Sequence, residues 1–167
     1  MTMDPAFTTF IDRMGIAAEN DGMSPIAARL FALLLLSEEP RSLDELADTL
    51  GVSKASVSTD ARRLLERGIA ERVSKAGDRR DYYELTPDFF ARIIDTRVTR
   101  WRRMRRLAND VRDHAPTLPA AVHKRIDSID DVETSVIEPL EQALAEWRAA
   151  QTETPDTRKA VSKARKR

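Results

Sequence analysis

Between Ser53 and Arg63 the chain sets small and polar side chains one helical turn ahead of two arginines. If this stretch is a helix at about 100° per residue, Val57, Ala61, Leu64 and Leu65 gather on one side as a buried stripe. Ala55, Thr59, Arg62, Arg63 and Glu66 fall on the opposite side, with Ser56 at its edge. That is the distribution a helix needs to enter a DNA major groove. Small residues let its first turn approach the base edges, and arginine reaches guanine or phosphate one turn later. Ser53, Lys54 and the unpaired N–H groups of the first turn can hold a backbone phosphate. Asp60 and Glu66 fit poorly on such a face, because a carboxylate repels phosphate; the helical angle moves Asp60 towards the flank. Arg79 and Arg80, within Lys75-Ala76-Gly77-Asp78-Arg79-Arg80-Asp81, supply a second basic element. In a hairpin beside a groove-bound helix, one of them can enter the adjacent minor groove, with Asp78 and Asp81 bracing the loop.

Exposed helix faces are usually charged, so Arg62 and Arg63 alone also suit an ordinary solvated surface. The elements around them favour the groove. Ser42-Leu43-Asp44-Glu45 has the capping-box spacing, and Leu43, Leu46, Ala47 and Leu50 make the helix behind it amphipathic. Gly51-Val52-Ser53 is a three-residue turn containing glycine, Ser53 caps the next helix, and Gly68 stands where that helix ends. Residues 69–74 and 82–85 read as two strands flanking the polar loop, a β-wing joined directly to a helix-turn-helix. Upstream, Phe7, Phe10, Ile11, Met14 and Ala18 form one apolar stripe, and Gly15 within it predicts the close approach of another helix. Ser24-Pro25 starts a nearly all-apolar helix through Leu36, the expected centre of the domain. Downstream, Thr86-Pro87-Asp88 predicts the cap and start of a long helix to Asp113. A last helix spans about 119–150, with Val122, Ile126, Ile129, Val132, Val136, Leu140, Leu144 and Trp147 on its seam and a kink at Pro139.

These elements specify a mainly α fold: a winged helix-turn-helix domain with a two-stranded wing over residues 1–86, helices over 87–150, and a disordered basic tail over 151–167. Charge follows the same division. The 167 residues carry 28 basic and 28 acidic groups, but residues 1–50 balance at −6, 51–81 at +3, 82–114 at +3, 115–150 at −4 and the tail at +4. Arg97, Arg100, Arg102, Arg103, Arg105 and Arg106 crowd one stretch without an acid. They suit DNA phosphates or the acidic 115–150 helix, and the latter also accounts for the charge blocks.

The chain has no cysteine and two distant histidines, His114 and His123, so disulfides, thiolate chemistry and a metal site find no ligand set. No Gly-rich phosphate loop, GxSxG or HExxH motif is present, and neither an enzyme nor a cofactor is expected. The longest apolar run, Leu30–Leu36, falls well short of the roughly 20 residues that span a bilayer. A cytoplasmic protein without membrane contact is the expectation.

Phe10-Ile11-Asp12-Arg13-Met14-Gly15, Ser24-Pro25-Ile26-Ala27-Ala28-Arg29-Leu30 and Ser42-Leu43-Asp44-Glu45-Leu46-Ala47 resemble the opening of GbsR/MarR-type transcriptional regulators. So do Val52-Ser53-Lys54-Ala55-Ser56-Val57-Ser58-Thr59 and Gly77-Asp78-Arg79-Arg80-Asp81-Tyr82-Tyr83. The resemblance covers residues 7–90; beyond that it is one of pattern. It implies a homodimeric winged-helix repressor on pseudo-palindromic double-stranded DNA, joined through its terminal helices. Phe7, Phe10 and Met14 would then serve the interface from the N-terminal side, and Val122, Ile126, Ile129, Val136, Leu140 and Leu144 from the C-terminal side. The long helices support pairing independently, since a compact winged domain cannot cover both seams; an intramolecular hairpin is the alternative. The resemblance also implies a small-molecule effector, with choline-type osmolytes among those sensed by relatives of GbsR, although no motif here assigns one. Trp101 and Trp147 are the aromatic candidates for a cationic effector, and core or interface is the plainer use of both. A winged-helix module for protein–protein contact remains the competing function.

Overall fold

The computed structural model describes residues 4–20, 23–115 and 117–153. It divides between Ile93 and Ile94 into two compact units, the division falling inside a helix. The first unit contains α1 (Pro5–Asn20), α2 (Pro25–Leu35), β1 (Arg41–Ser42), α3 (Leu43–Leu50), α4 (Lys54–Glu66), β2 (Ala70–Ser74), β3 (Asp81–Leu85) and the start of α5 (Phe89–His114). The second contains the rest of α5, α6 (Ala120–Val132), a π-helical turn (Glu133–Ile137) and α7 (Glu138–Glu153). The predicted tail from residue 154 onward lies outside the described residues, and residues 151–153 continue α7.

α2 is the centre of the first unit. Ser24 caps it, its hydroxyl oxygen accepting the Ala27 amide, and Pro25 occupies its first turn without forfeiting a helical hydrogen bond. Leu30 and Leu33 are buried with Leu46 of α3 and Val57 and Leu64 of α4. α1 lays Ile11 against the same core and also buries Ala18. The close approach expected at Gly15 occurs: a Cβ there would stand 2.9 Å from Cγ of Arg29 on α2.

The sheet has three strands, in the order β1-β3-β2, all antiparallel. The sequence predicts two. β1 is only Arg41 and Ser42, paired with Tyr83 and Tyr82, and two residues carry no alternation to read. Ser42 is also the N-cap of α3, so the capping box fixes a strand and a helix through one residue.

The start of α5 differs from expectation. Thr86 does not cap it; its hydroxyl donates to the carbonyls of Gly68 (2.8 Å) and Ile69 (3.2 Å), closing the exit of α4, and the helix begins at Phe89. Where the sequence predicts a kink at Pro139, the structure places a π turn just before it in an otherwise unbroken helical run. There the Glu138 amide donates to the Glu133 carbonyl, the wider spacing accommodating a ring that lacks an N–H.

In the second unit α5 runs antiparallel to α6 and α7, fastened by ion pairs. Arg112 meets Asp127 and Asp130, Arg105 meets Asp130 (2.6 Å), Arg102 meets Glu133 (3.0 Å) and Glu141, and Arg148 meets Asp95 (2.5 Å). Of the arginine cluster, Arg102 and Arg105 therefore take the acidic helix, as the charge blocks suggested. Arg97, Arg100, Arg103 and Arg106 are exposed. Ile126 and Leu144, expected at a dimer interface, are buried inside this one chain, as are Val98 and Ile137. The hairpin thus covers part of the seam by itself, while Val136, Leu140 and Trp147 stay exposed. Among the described residues no helix is long and apolar enough to cross a membrane.

Candidate nucleic-acid interface

The interface is built by α3, its turn, α4 and the wing. Gly51 takes φ +64°, a left-handed conformation, and so ends α3 and redirects the chain into α4 within three residues. Ser53 caps α4, accepting the Ser56 amide at 3.2 Å and lying 2.8 Å from the Ser56 hydroxyl. Val57, Ala61 and Leu64 are buried, which turns Ala55, Thr59, Arg62 and Arg63 to solvent as the helical angles require. Thr59 is exposed and donates its hydroxyl to the Ala55 carbonyl. Lys54 pairs with Asp44 of α3 at 2.7 Å, both exposed, a contact that DNA phosphate can replace at little cost. Arg62 makes no hydrogen bond or ion pair among the described residues and is exposed.

Asp60 departs from expectation. It is not on the flank but buried, 4% exposed, beneath α4. One oxygen accepts the Ser24 hydroxyl at 2.8 Å and the other accepts Nη1 of Arg63 at 2.8 Å. The acid on the reading helix is therefore withdrawn from the surface, and its charge is compensated locally.

The wing is a locked hairpin. Gly77 supplies the left-handed turn position at φ +81°, and the Asp78 amide closes the turn on the Lys75 carbonyl. Asp78 accepts Nε and Nη2 of Arg80 at 3.0 and 2.6 Å, the Arg80 amide at 2.9 Å and the Tyr82 hydroxyl at 2.7 Å. The Arg80 side-chain bond, followed by its amide, holds the Asp78 carboxyl far below the usual carboxylate range, and Asp78 in turn raises Arg80 and Tyr82. Lys75 lies 4.3 Å above the Tyr82 ring. Asp81 is tied to Arg72 across the hairpin at 3.0 Å. Asp78 and Asp81 are thus bracing residues, and Arg80 is committed to Asp78. Arg79 projects exposed, with no ion pair among the described residues. Sequence reasoning missed Tyr82 as the third member of this lock. The available signal was the Asp78, Arg80, Tyr82 spacing, which puts alternate side chains on one side of an extended chain.

A cavity of about 990 Å³ opens elsewhere in the first unit. Phe7, Ile11, Leu33 and Leu36 give it apolar walls; Asp12 and Glu45 are among its carboxylates, and Lys75, the first residue of the wing loop, also lines it. Trp101 and Trp147 do not line it. Trp101 is half-buried, its indole N–H buried without an acceptor, and Trp147 is exposed. Among the described residues no cluster of His, Asp and Glu could hold a metal ion.

The model of the MarR family matches residues 21–81, the span from the approach to α2 through the wing tip. The HTH-type transcriptional regulator MmpR5 of Mycobacterium tuberculosis is 39% identical over 92 residues, which cover 54% of this chain and 56% of MmpR5. The HTH-type transcriptional repressor OpcR of Bacillus subtilis is 28% identical over 83 residues, covering 50% of this chain and 45% of OpcR. The chain thus spans about half the length of these curated relatives. A crystal structure of a transcriptional regulator is 30% identical with a TM-score of 0.75, covering 87% of this chain and 99% of that one.

Proposed function

The chain belongs to the MarR family, and from that premise we propose that it is a sequence-specific DNA-binding transcriptional regulator, a homodimeric repressor of the GbsR-like branch. α4 enters the major groove, with Ala55, Ser56 and Thr59 at the base edges and Arg62 and Arg63 beyond them. Ser53 and Lys54 take phosphate, and Arg79 at the wing tip takes the minor groove. Two copies about a two-fold axis set their α4 helices roughly 34 Å apart on a pseudo-palindromic operator. The observation that carries this reading is the conjunction on one chain of a solvent-facing basic α4 and a braced wing with a free arginine at its tip. The motifs in residues 10–15 and 24–30 support the GbsR-like branch, and the name of OpcR supports repression. A small-molecule effector fits the cavity bounded by Phe7, Ile11 and Leu33, because Lys75 joins that wall to the wing that grips DNA.

Selection of duplexes from a random-sequence pool, followed by a salt titration of the selected duplex, tests the reading. The expected result is an enriched two-fold-symmetric site whose affinity falls steeply as salt rises. Lys54→Ala should weaken every duplex alike and reduce the log–log salt slope by about 1. Equal affinity for selected and random duplexes would leave the α4 face to a protein partner.

A further inference from the structure

Asp60 sits on the reading helix, where a carboxylate ought to repel DNA, and it is anchored from two elements at once. Its Oδ2 accepts the hydroxyl of Ser24, the N-cap residue of α2, and its Oδ1 accepts Nη1 of Arg63 one turn along α4. The Asp60 side chain is 6% exposed and that of Arg63 54%, so the carboxylate lies inside and the guanidinium at the surface. We propose that Asp60 is a positioning residue for DNA readout: it holds Arg63 with the Nε–Nη2 edge outward, and Arg63 reads one guanine in each half-site through that edge. The inference rests on the DNA-binding reading above and names the residue that concentrates its specificity.

Three physical points carry it. A guanidinium presents five N–H donors in a rigid fork, and spending one Nη1 donor on Asp60 leaves the Nε and Nη2 donors side by side. That pair matches the O6 and N7 acceptors of guanine in the major groove. A buried carboxylate that lost Arg63 would be an uncompensated charge, so Arg63 engages DNA while keeping Asp60 and not by leaving it. Fixing a long side chain before binding also removes ordering entropy from the binding step. Neighbouring Arg62 has no such restraint and is left to contact phosphate.

The test uses a duplex selected from a random pool by the wild-type chain, together with duplexes in which each guanine is replaced in turn. Affinities are read by fluorescence anisotropy for the wild type, Arg63→Ala, Asp60→Asn, Asp60→Ala and Asp60→Ala/Arg63→Ala, with folding checked by circular dichroism. Arg63→Ala should lose a roughly tenfold preference at one guanine per half-site. Asp60→Asn is isosteric and keeps the fold, but a neutral amide holds arginine less firmly; it should lose at least about fivefold of that same preference. Affinity of Asp60→Asn for random duplexes should stay level or rise, since a negative charge is gone. The double variant should show no loss beyond that of Arg63→Ala. Asp60→Asn retaining the full preference that Arg63→Ala loses would overturn the proposal, as would an equal loss on every duplex. Arg63→Ala without a guanine-specific loss would overturn it too. A wild-type chain that selects no sequence would overturn the DNA-binding reading, and this inference with it.

Discussion

Arg79 and Arg80 are adjacent in the sequence, yet their surroundings give them different work. Arg80 is spent on Asp78 and lies over the Tyr82 ring, whereas Arg79 is exposed and makes no ion pair among the described residues. Arg79→Ala should therefore weaken binding to all duplexes and lower the salt slope by about 1, with the melting temperature unchanged. Arg80→Ala should also weaken binding, but by freeing the wing: limited proteolysis should cut between residues 75 and 81 faster in this variant alone. If the two variants behave alike in proteolysis, the division of roles is wrong. The sequence shows both arginines on a loop with two acids; it does not show which arginine is tethered. Tethering is decided by the register of β2 against β3, which puts Tyr82 opposite Val73 and sets its hydroxyl beside Asp78.

At the level of elements, Ser42 serves two at once. Its side chain accepts the Glu45 amide and Glu45 accepts the Ser42 amide, while Ser42 pairs with Tyr82 in the sheet. Ser42→Ala removes the cap at a buried site and should lower stability by about 1 kcal/mol in denaturant unfolding. The loss should also depend on pH. The Ser42 amide, then its hydroxyl, hold the Glu45 carboxyl below its usual value. A depressed carboxyl contributes stability above its unfolded value and loses it as pH falls through the folded one. The gap between wild type and Ser42→Ala should therefore be full at neutral pH and narrow below about pH 4. A gap constant across that range would remove Glu45 from the account. Helices with caps and periodic stripes, α2 to α4, are legible in the sequence nearly to the residue, because their signals are local. β1 and the true start of α5 are not, because a two-residue strand exists only through its partner and Thr86 turns to carbonyls 17 and 18 residues earlier.

For the whole molecule the question is what covers the apolar surface that remains. The exposed large apolar side chains include Val136, Leu140 and Trp147 around the π turn and α7, Leu107 and Val111 on α5, and Phe7, Phe10 and Ile16 on α1. A soluble chain seldom leaves so much large apolar surface unpaired, and the proposed homodimer would bury it. Val136→Asp/Leu140→Asp should convert a dimer into a monomer in sedimentation velocity at micromolar concentration, with the helical circular dichroism preserved. A wild-type monomer at that concentration would defeat the dimer proposal. Ile126 and Leu144 should not serve as interface probes, since charge there would break the chain's own hairpin.

By itself the sequence determined the helix-turn-helix, the wing, the outward face of α4 and the basic and acidic blocks. These rest on caps, periodicity and turn glycines, which act over a few residues. Only the tertiary structure decided which acid each base meets: Asp60 inward against Ser24 and Arg63, Arg102 on Glu133 and Arg105 on Asp130, and Arg80 tied while Arg79 makes no ion pair among the described residues. An acid and a base have the same letters whether they meet each other or solvent. Which they meet depends on burial and register, and those come from packing between segments far apart in the chain.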